Sequence, residues 1–403
     1  MSAISSERMD GTALSWWQAQ RATLWLFVAS GWLVAIEPSP YEFLFLAAAM
    51  VFLPVGLRFH PTALPFAAAL VLYNVGGIAS LVPVAEDSDA LLFVAISLFM
   101  GATALFFSGL IAGDPTRFAV IRNAYIWAAV MASICGLIGY FDVGGLRGSW
   151  APMYRAQGLF KDPNVFSAFL VAALCFLTQG FLLGEQRHRL WSAMALCIIG
   201  AGLFFAFSRG AWINAAVALT LLAAINFLLH PSGKTRTRIV LLVCGICIAA
   251  TTLILFALSF ESTRTLFAER ANLINYYDGG ETGRFGNQLN SLPLLLQLPN
   301  GMGPLQFRTV FGNDPHNVFI NVFASNGWLG GLSFLLLIAM TIWIGWKTIL
   351  RRSLFQQQAI AVFCPMVAII LQSIQIDTEH WRHLFLLIGV MWGLHGATTE
   401  ARQ

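Results

Sequence analysis

Charged residues are scarce in this sequence. Asp, Glu, Lys and Arg make up 10% of its 403 residues, whereas 58% are hydrophobic, and the mean hydropathy is +0.73. Soluble globular domains carry about 25% charged residues, so the composition excludes that class. It predicts a polytopic integral membrane protein whose surroundings are the lipid bilayer. The formal net charge is only +4, and we expect no nucleic-acid partner.

Cysteines and clustered metal ligands are also in short supply. The six cysteines, at positions 135, 175, 197, 244, 247 and 364, fall inside apolar runs, so we predict no external disulfide. Cys244 and Cys247 have CxxC spacing without a second pair nearby, which favours packing over metal binding. The one dense carboxylate group is the turn at residues 86–89. We interpret it as a solvated loop, with a divalent-ion site as the alternative, and we predict no metal and no cofactor.

Long apolar runs indicate the fold class. A helix needs about 20 apolar residues to cross a hydrocarbon layer of about 30 Å, and lipid cannot satisfy the open backbone groups of irregular structure. The sequence therefore predicts an all-α protein with about twelve transmembrane helices in a single domain, residues 1–403. The predicted spans are 22–36, 43–57, 63–83, 91–112, 118–140, 165–184, 190–207, 211–230, 239–260, 318–346, 359–376 and 384–395.

The distribution of lysine and arginine predicts the orientation. The basic clusters at residues 234–238 and 347–352 lie in the cytoplasm if both termini do, which agrees with the positive-inside rule. Two long connections, residues 141–164 and 261–317, then lie on the outer side, and long loops in a compact architecture are usually functional. Within the second, residues 287–298 predict a short amphipathic helix, ended by the glycine-rich turn at 301–304. We expect this helix to lie across the outer mouth of the bundle.

Basic residues on the outer side are candidates for a function, because membrane insertion of the chain does not require them there. They lie in the two long loops or at helix ends: Arg147, Arg155, Lys161, Arg264, Arg270, Arg284, Arg308, Arg209 and Arg382. A guanidinium donates two parallel hydrogen bonds to paired oxygens, so this set favours binding of phosphate. Charge balance against nearby carboxylates is the alternative for any one of them. Arg209 lies in the very short connection between the predicted spans 190–207 and 211–230. It must therefore lie at the membrane boundary, which makes it a functional candidate.

A polar stretch at residues 312–317 leads into the tenth predicted span and contains His316. A titratable base at a water–membrane boundary, downstream of several arginines, predicts chemistry on a charged, lipid-linked substrate, and a structural histidine is the alternative. Asn317, Asn321 and Ser325 are spaced four apart and share one helix face. They line a hydrated groove or form hydrogen bonds between packed helices. The glycines at 327, 330 and 331 then predict close helix approach or a kink.

Taken together, these segments resemble the O-antigen ligase and O-antigen polymerase superfamily of bacterial membrane glycosyltransferases. The resemblance lies in the motifs Ser208-Arg209-Gly210, Gly283-Arg284, the turn at 301–304, and His316-Asn317 followed by glycines 327 and 330. It is supported by Arg155 with the segments 158–160 and 163–164, and by the predicted number of spans with one large outer loop. The family often has a tryptophan shortly after the Gly-Arg step, where this chain has Phe285 and Gln288.

The resemblance implies a reaction and roles for these residues. Family members transfer a glycan from an undecaprenyl diphosphate carrier to an acceptor hydroxyl on the periplasmic side of the bacterial inner membrane. The reaction expected here is a metal-independent displacement with inversion. His316 would be the general base, and Arg209 and Arg284 would stabilise the departing diphosphate. Weaker substrate-binding candidates are Arg155, Lys161, Asn317 and Arg382.

Several alternatives remain open at this point. A ligase would move a finished glycan to lipid A-core, which we favour because the chain is compact, whereas a polymerase would extend a second carrier-linked glycan. A transporter or a flippase for the lipid carrier is a further alternative. Against it, no long central loop divides the chain into halves, and a flippase would leave His316 without a role. His380 and His383 flank Arg382 in the last outer loop, which we expect to be solvated and ion-paired.

Overall fold

The computed structural model describes residues 11–54, 56–184, 188–261, 264–265, 267, 280 and 283–400. Over these residues the regular secondary structure is entirely helical, with no strand. The predicted all-α class is therefore confirmed. Arg270, one of the basic residues predicted in the large outer loop, lies outside the described residues.

Fifteen α-helices are present in the described part of the chain. They are α1 (Gly11–Ala29), α2 (Pro40–Phe52), α3 (Leu64–Leu81), α4 (Ser88–Gly113), α5 (Phe118–Tyr140), α6 (Arg147–Trp150), α7 (Pro163–Leu183), α8 (Arg189–Phe205), α9 (Arg209–Leu229), α10 (Gly233–Leu258), α11 (Arg284–Gln297), α12 (Phe307–Phe311), α13 (Val318–Leu350), α14 (Gln356–Gln372) and α15 (Arg382–Glu400). Short 3-10 turns are found at Ser30–Trp32, Pro61–Ala63, Val82–Val84, Pro115–Arg117 and Val143–Gly145.

Seven of the described helices, namely α3, α4, α5, α7, α9, α10 and α13, are long and apolar enough to cross a membrane. Helices α2, α8 and α14 are apolar but shorter. With α1 and α15, these elements overlap the twelve predicted spans, but twelve crossings of the bilayer remain a prediction. Helix α1 begins at Gly11, well before the predicted start at residue 22. Polar residues such as Gln18 and Gln20 are compatible with a helix although they lower its hydropathy.

Glycines bring the central helices into close contact. Helices α3 and α13 pack at Gly76, where an added Cβ would collide with the backbone of Gly330. Helices α4 and α15 pack in the same way, since a Cβ at Gly389 would collide with the carbonyl of Ala104, and one at Gly393 would lie 2.7 Å from that of Ser108. Small residues at helix interfaces let backbones approach, which is the usual basis of helix packing in lipid. The predicted close approach at Gly330 is confirmed.

Helix α13 is broken at Gly327, whose backbone angles are φ 65° and ψ −169°. The N–H of Trp328 donates to the carbonyl of Pro299 at 2.8 Å instead of continuing the helical ladder. The carbonyl of Ala324, released by the break, accepts the N–H groups of Met302 and Gly303 at 2.7 and 3.1 Å. The glycine-rich turn therefore inserts its backbone into the break, so every freed group named here is satisfied. The predicted kink is confirmed.

Gly327→Ala should destabilise the protein by several kcal/mol. The backbone at Gly327 lies in a region that is essentially restricted to glycine, at a cost of about 1–3 kcal/mol for other residues. A Cβ there would also lie 2.6 Å from the Pro299 carbonyl oxygen. We expect a thermal unfolding midpoint in detergent that is lower by roughly 3–6 °C. Gly200→Ala, in α8, is the matched control because open space surrounds it. An unchanged midpoint for Gly327→Ala would show that the break tolerates a side chain.

The starts of α9 and α13 meet the end of α14 at one end of the bundle. The N–H of Val318, at the start of α13, donates to the carbonyl of Ser373, just after α14, at 3.0 Å. An added Cβ at Gly210, in the first turn of α9, would lie 3.1 Å from the side-chain amide of Gln372. We call this the His316 end. The opposite end is marked by the pair of Arg58 with Glu400 at 3.8 Å.

Candidate functional site

His316 is held in a left-handed backbone conformation, with φ 48°. The carboxylate of Asp377 accepts the backbone N–H groups of His316 at 3.1 Å and of Asn317 at 3.0 Å. The side chain of Asn317 in turn accepts the N–H of Phe319 at 3.0 Å and so caps α13. His316 Nδ1 lies 3.9 Å from Asp377 Oδ2, and the imidazole is 50% exposed. A fixed backbone thus presents an accessible base directly before the tenth predicted span.

The loop that supplies Asp377 is buried, so the expectation of a solvated loop was wrong. Thr378 and Glu379 are 0% and 4% exposed. His380 contacts Ser97 Oγ at 2.8 Å and the ring of Phe93. The loop is buried because its polar groups find partners on α4 and α13 that lie far away in sequence.

Burial shifts the pKa values of titratable groups in this loop. It raises the pKa of Asp377 above the usual carboxyl range; nearby Asp314 raises it further, while the two accepted N–H groups lower it. It also raises the pKa of Glu379, and the charge of Asp377 acts in the same direction. Burial lowers the pKa of His380 to about 4, so this imidazole is neutral near pH 7. His380 is therefore suited to a structural hydrogen bond.

Two polar side chains of α13, Asn321 and Ser325, are buried in a hydrogen-bonded chain that leads to Glu379 and do not line a hydrated groove. Asn321 donates to Glu379 Oε1 at 2.5 Å and accepts the hydroxyl of Ser325 at 3.1 Å. Both α13 side chains are buried. The interpretation as a link between packed segments is confirmed for Asn321, whose bond to Glu379 fixes α13 to the loop that holds His316. Ser325 bonds within α13 and supports the Asn321 side chain.

Arg284 begins α11, the amphipathic helix predicted in the large loop, which starts three residues earlier than expected. One turn further, Asn287 donates to the carbonyl of Phe311 at 3.0 Å, and Gln288 donates to that of Pro315 at 2.7 Å. Since residues three and four apart share a helix face, the first turn of α11 lies beside the peptide that precedes His316. The family often has tryptophan where this chain has Phe285 and Gln288. Here Gln288 binds the loop before His316, and the Arg284 guanidinium lies 4.7 Å from the ring centre of Phe285.

Arg209 is the first residue of α9, and Ser208 caps that helix by accepting the N–H of Ala211 at 3.4 Å. The same helix donates from Asn214 to Gln372 Oε1. Gln372 immediately precedes Ser373, whose carbonyl binds the start of α13. Half-buried Arg209 therefore belongs to the same cluster of helix ends as His316.

The other predicted binding residues have protein partners. Arg155 is buried, and it donates from Nε to the carbonyl of Ala206 at 2.8 Å and from a terminal nitrogen to Asn164 Oδ1 at 2.9 Å. Lys161 pairs with Glu37 at 2.8 Å and is half-exposed. Arg382 pairs with Glu42, donates to Ser39 Oγ at 3.0 Å and lies over Tyr41. These contacts give each cation a structural function, and substrate binding by Arg155, Lys161 and Arg382 remains a prediction.

The acidic turn at residues 86–89 serves a structural purpose. Asp87 caps α4 by accepting the N–H groups of Asp89 and Ala90, and its other oxygen lies 3.5 Å from the amide of Gln306. Among the described residues, no group of three or more His, Cys, Asp and Glu side chains is arranged to hold a metal ion. Helix capping accounts for the carboxylate of Asp87 without an ion.

Asp377 is the residue of this region that sequence reasoning passed over. No function was assigned to it from the sequence, because nothing in the local pattern reveals that it binds a backbone segment 61 residues earlier.

Asp377→Asn should lower kcat about 10- to 100-fold with little change in KM, because the amide keeps one acceptor and turns a donor toward the second N–H. A displaced His316 is costly, since errors of about 1 Å in positioning reduce rates about 100-fold. Steady-state kinetics on the purified variant provide the measurement. Asp114→Asn is the matched control: this residue caps a turn at the opposite end, accepting the N–H of Thr116 at 3.0 Å. Equal kcat values for wild type and Asp377→Asn would reject the positioning role.

The segment that carries Arg209, Arg284 and His316 matches a known protein family. Residues 193–335 match the family profile described as O-antigen ligase. The matched segment includes the kink at Gly327, whereas Asp377 lies outside it. No curated protein matches the sequence. The family match agrees with the resemblance drawn from the motifs at these positions.

Proposed function

We propose that this chain, which belongs to the O-antigen ligase and polymerase family by the match of residues 193–335, is a ligase-type glycosyltransferase. Its donor would be a glycan on an undecaprenyl diphosphate carrier, and its acceptor a hydroxyl of lipid A-core. The reaction would take place on the periplasmic face of the bacterial inner membrane, with both termini in the cytoplasm. The basic clusters at residues 234–238 and 347–352 support this orientation.

One observation carries the proposal: three separate segments with the expected chemistry meet at the His316 end. Gln288, one turn after Arg284, binds the carbonyl of Pro315. The start of α13 binds Ser373, and α9, which begins with Arg209, contacts the adjacent Gln372. A base and two guanidinium-bearing helix starts at one membrane-proximal face suit a substrate that combines a diphosphate with a hydroxyl acceptor.

The proposed reaction is a single displacement. A ring nitrogen of His316 accepts the proton of the acceptor hydroxyl while the acceptor oxygen forms a bond to the anomeric carbon. The bond from that carbon to the carrier diphosphate breaks on the opposite side, so the configuration inverts. The diphosphate leaves with its electron pair, and Arg284 and Arg209 stabilise its growing charge. Nδ1 of His316 is the ring nitrogen that lies 3.9 Å from Asp377 Oδ2. We therefore assign proton acceptance to the other ring nitrogen, Nε2.

Asp377 supports this reaction without touching the substrate. By accepting the N–H groups of both His316 and Asn317, it fixes the backbone from which the imidazole projects. Asn317 is already used as the cap of α13, so its contribution would come through placement of the same loop. These residues are positioning residues in the proposed mechanism.

A transfer assay with purified protein tests the function. Undecaprenyl diphosphate-linked oligosaccharide would be supplied with lipid A-core or with a second portion of carrier-linked donor, and product size would be measured. A product of donor glycan joined to lipid A-core supports the ligase. Extension of the carrier-linked glycan alone would instead identify an O-antigen or exopolysaccharide polymerase, the alternative within the same family. Movement of donor across vesicles without new glycosidic bonds would overturn both in favour of a flippase or transporter.

A further inference from the structure

Helix α11 turns its apolar face away from the protein. Its polar side chains Asn287, Gln288 and Ser291 are buried. Phe285, Leu289, Leu292 and Leu296, by contrast, are 49%, 69%, 46% and 70% exposed. Their spacing of four, three and four residues puts these four on one face, which we call the apolar stripe. In water such a face would be buried, so its exposure here indicates contact with hydrocarbon.

This orientation is fixed by hydrogen bonds. On the polar face, Asn287 and Gln288 donate to the carbonyls of Phe311 and Pro315. At the end of the helix, the indole of Trp328 donates to the carbonyl of Leu295 at 2.9 Å. Rotating α11 to bury its leucines would break all three bonds, so the apolar stripe is a built feature of the fold.

The apolar stripe joins the proposed site to the membrane face of α13. At its start, the Arg284 guanidinium lies over the ring of Phe285 at 4.7 Å. At its other end, Trp328 bonds to α11 and begins a second exposed apolar row, which continues with Leu332 and Leu336. The Arg284 guanidinium therefore lies at one end of an apolar surface about 20 Å long on α11. That surface continues along α13.

We propose that the apolar stripe binds the part of the donor's polyprenyl chain next to the diphosphate and so delivers the diphosphate to Arg284. This inference rests on the proposed function and names the surface by which that site holds its carrier. The arrangement of groups along α11 indicates the occupant, since a positive charge at the start of the helix is followed by an uninterrupted apolar face. That order matches a lipid whose anionic headgroup precedes a hydrocarbon chain.

The test compares two donors that carry the same glycan diphosphate on either an undecaprenyl chain or a short prenyl chain. In the double variant Leu289→Gln/Leu292→Gln, the KM for the long-chain donor should rise about tenfold, because two apolar contacts are replaced by amides. Its kcat with that donor and both constants for the short-chain donor should stay at wild-type values. The preference for the long chain, given by the ratio of the two kcat/KM values, would fall about tenfold.

Two control variants accompany the double variant. Leu289→Met/Leu292→Met keeps an apolar surface and should retain the long-chain preference. Leu190→Gln changes a leucine that is 76% exposed at the start of α8, which is at the opposite end from the site, and should behave as wild type. An unchanged ratio in the double glutamine variant would overturn the proposal. Equal losses with both donors would also overturn it, since they would show that the stripe only seats α11 in ordinary phospholipid.

A separate binding measurement distinguishes this inference from the proposed function. Undecaprenyl diphosphate without glycan would be titrated against wild type and the double glutamine variant in detergent, beside a short-chain diphosphate. If glycan transfer is absent but the variant loses its long-chain preference in binding, the function fails and the stripe assignment stands. If transfer occurs and the binding preference is unchanged, the stripe assignment fails and the function stands.

Discussion

Replacing His316 with alanine should lower the rate of glycan transfer about 10²- to 10⁴-fold, the range expected when a general base is lost. In the proposed reaction the imidazole takes the proton of the acceptor hydroxyl, and alanine offers no base in its place. The side chain is 50% exposed, so its removal leaves no buried cavity and the protein should remain folded. Initial rates at saturating donor, measured beside a thermal unfolding curve, separate lost chemistry from lost structure.

The backbone at His316 calls for a second variant. With φ 48°, the position favours asparagine or glycine over alanine, because a short polar side chain tolerates the left-handed region. His316→Asn therefore keeps the local backbone and removes the base, and it should be as inactive as His316→Ala. His188→Ala, an exposed position just before α8 at the opposite end, is the matched control and should keep full activity. Substantial turnover by His316→Asn would place the base elsewhere.

The helices were predictable because lipid imposes a simple rule on them. An apolar run long enough to cross the bilayer has to satisfy its backbone internally, and the run at residues 318–346 became α13. The glycines within it signalled a kink, and Gly327 supplies one. What the sequence did not reveal is the partner. The break is filled by the backbone of Pro299, Met302 and Gly303. Contacts between backbone groups do not depend on side-chain type, so the sequence pattern does not indicate them.

The candidate site was only partly predictable for a related reason. One predicted loop carries both Arg284 and His316, and the Gln288–Pro315 bond brings the first turn of α11 beside the peptide that precedes His316. Asp377 binds a segment 61 residues away, and Arg382 pairs with Glu42 across 340 residues. Pairings of this kind depend on how helices are arranged, which apolar periodicity does not determine. The same limit applies to α11, whose pattern indicated an amphipathic helix but not which face meets the protein.

Arg284→Ala should reduce kcat about 10²- to 10³-fold, the loss typical when a group that stabilises transition-state charge is removed. The half-buried residue occupies the first turn of α11, which the bonds from Asn287 and Gln288 hold beside the His316 loop. Charge on the diphosphate grows as its bond to the sugar breaks, so the loss should fall on kcat more than on KM. Single-turnover rates with pre-bound donor measure this step directly.

Two further variants test whether the diphosphate needs the Arg284 guanidinium itself or only the positive charge of the surrounding loop. Arg284→Lys keeps the charge but loses the planar fork that binds two phosphate oxygens, so we expect an intermediate loss of about tenfold. Arg308→Ala removes an exposed cation from α12 in the same predicted outer loop and should leave kcat near wild type, because an exposed charge is screened by water and salt. If Arg284→Ala raises only KM, the guanidinium holds the donor without stabilising its departure. If Arg308→Ala is equally damaging, the field of the whole loop matters, and the assignment of Arg284 to the leaving group is wrong.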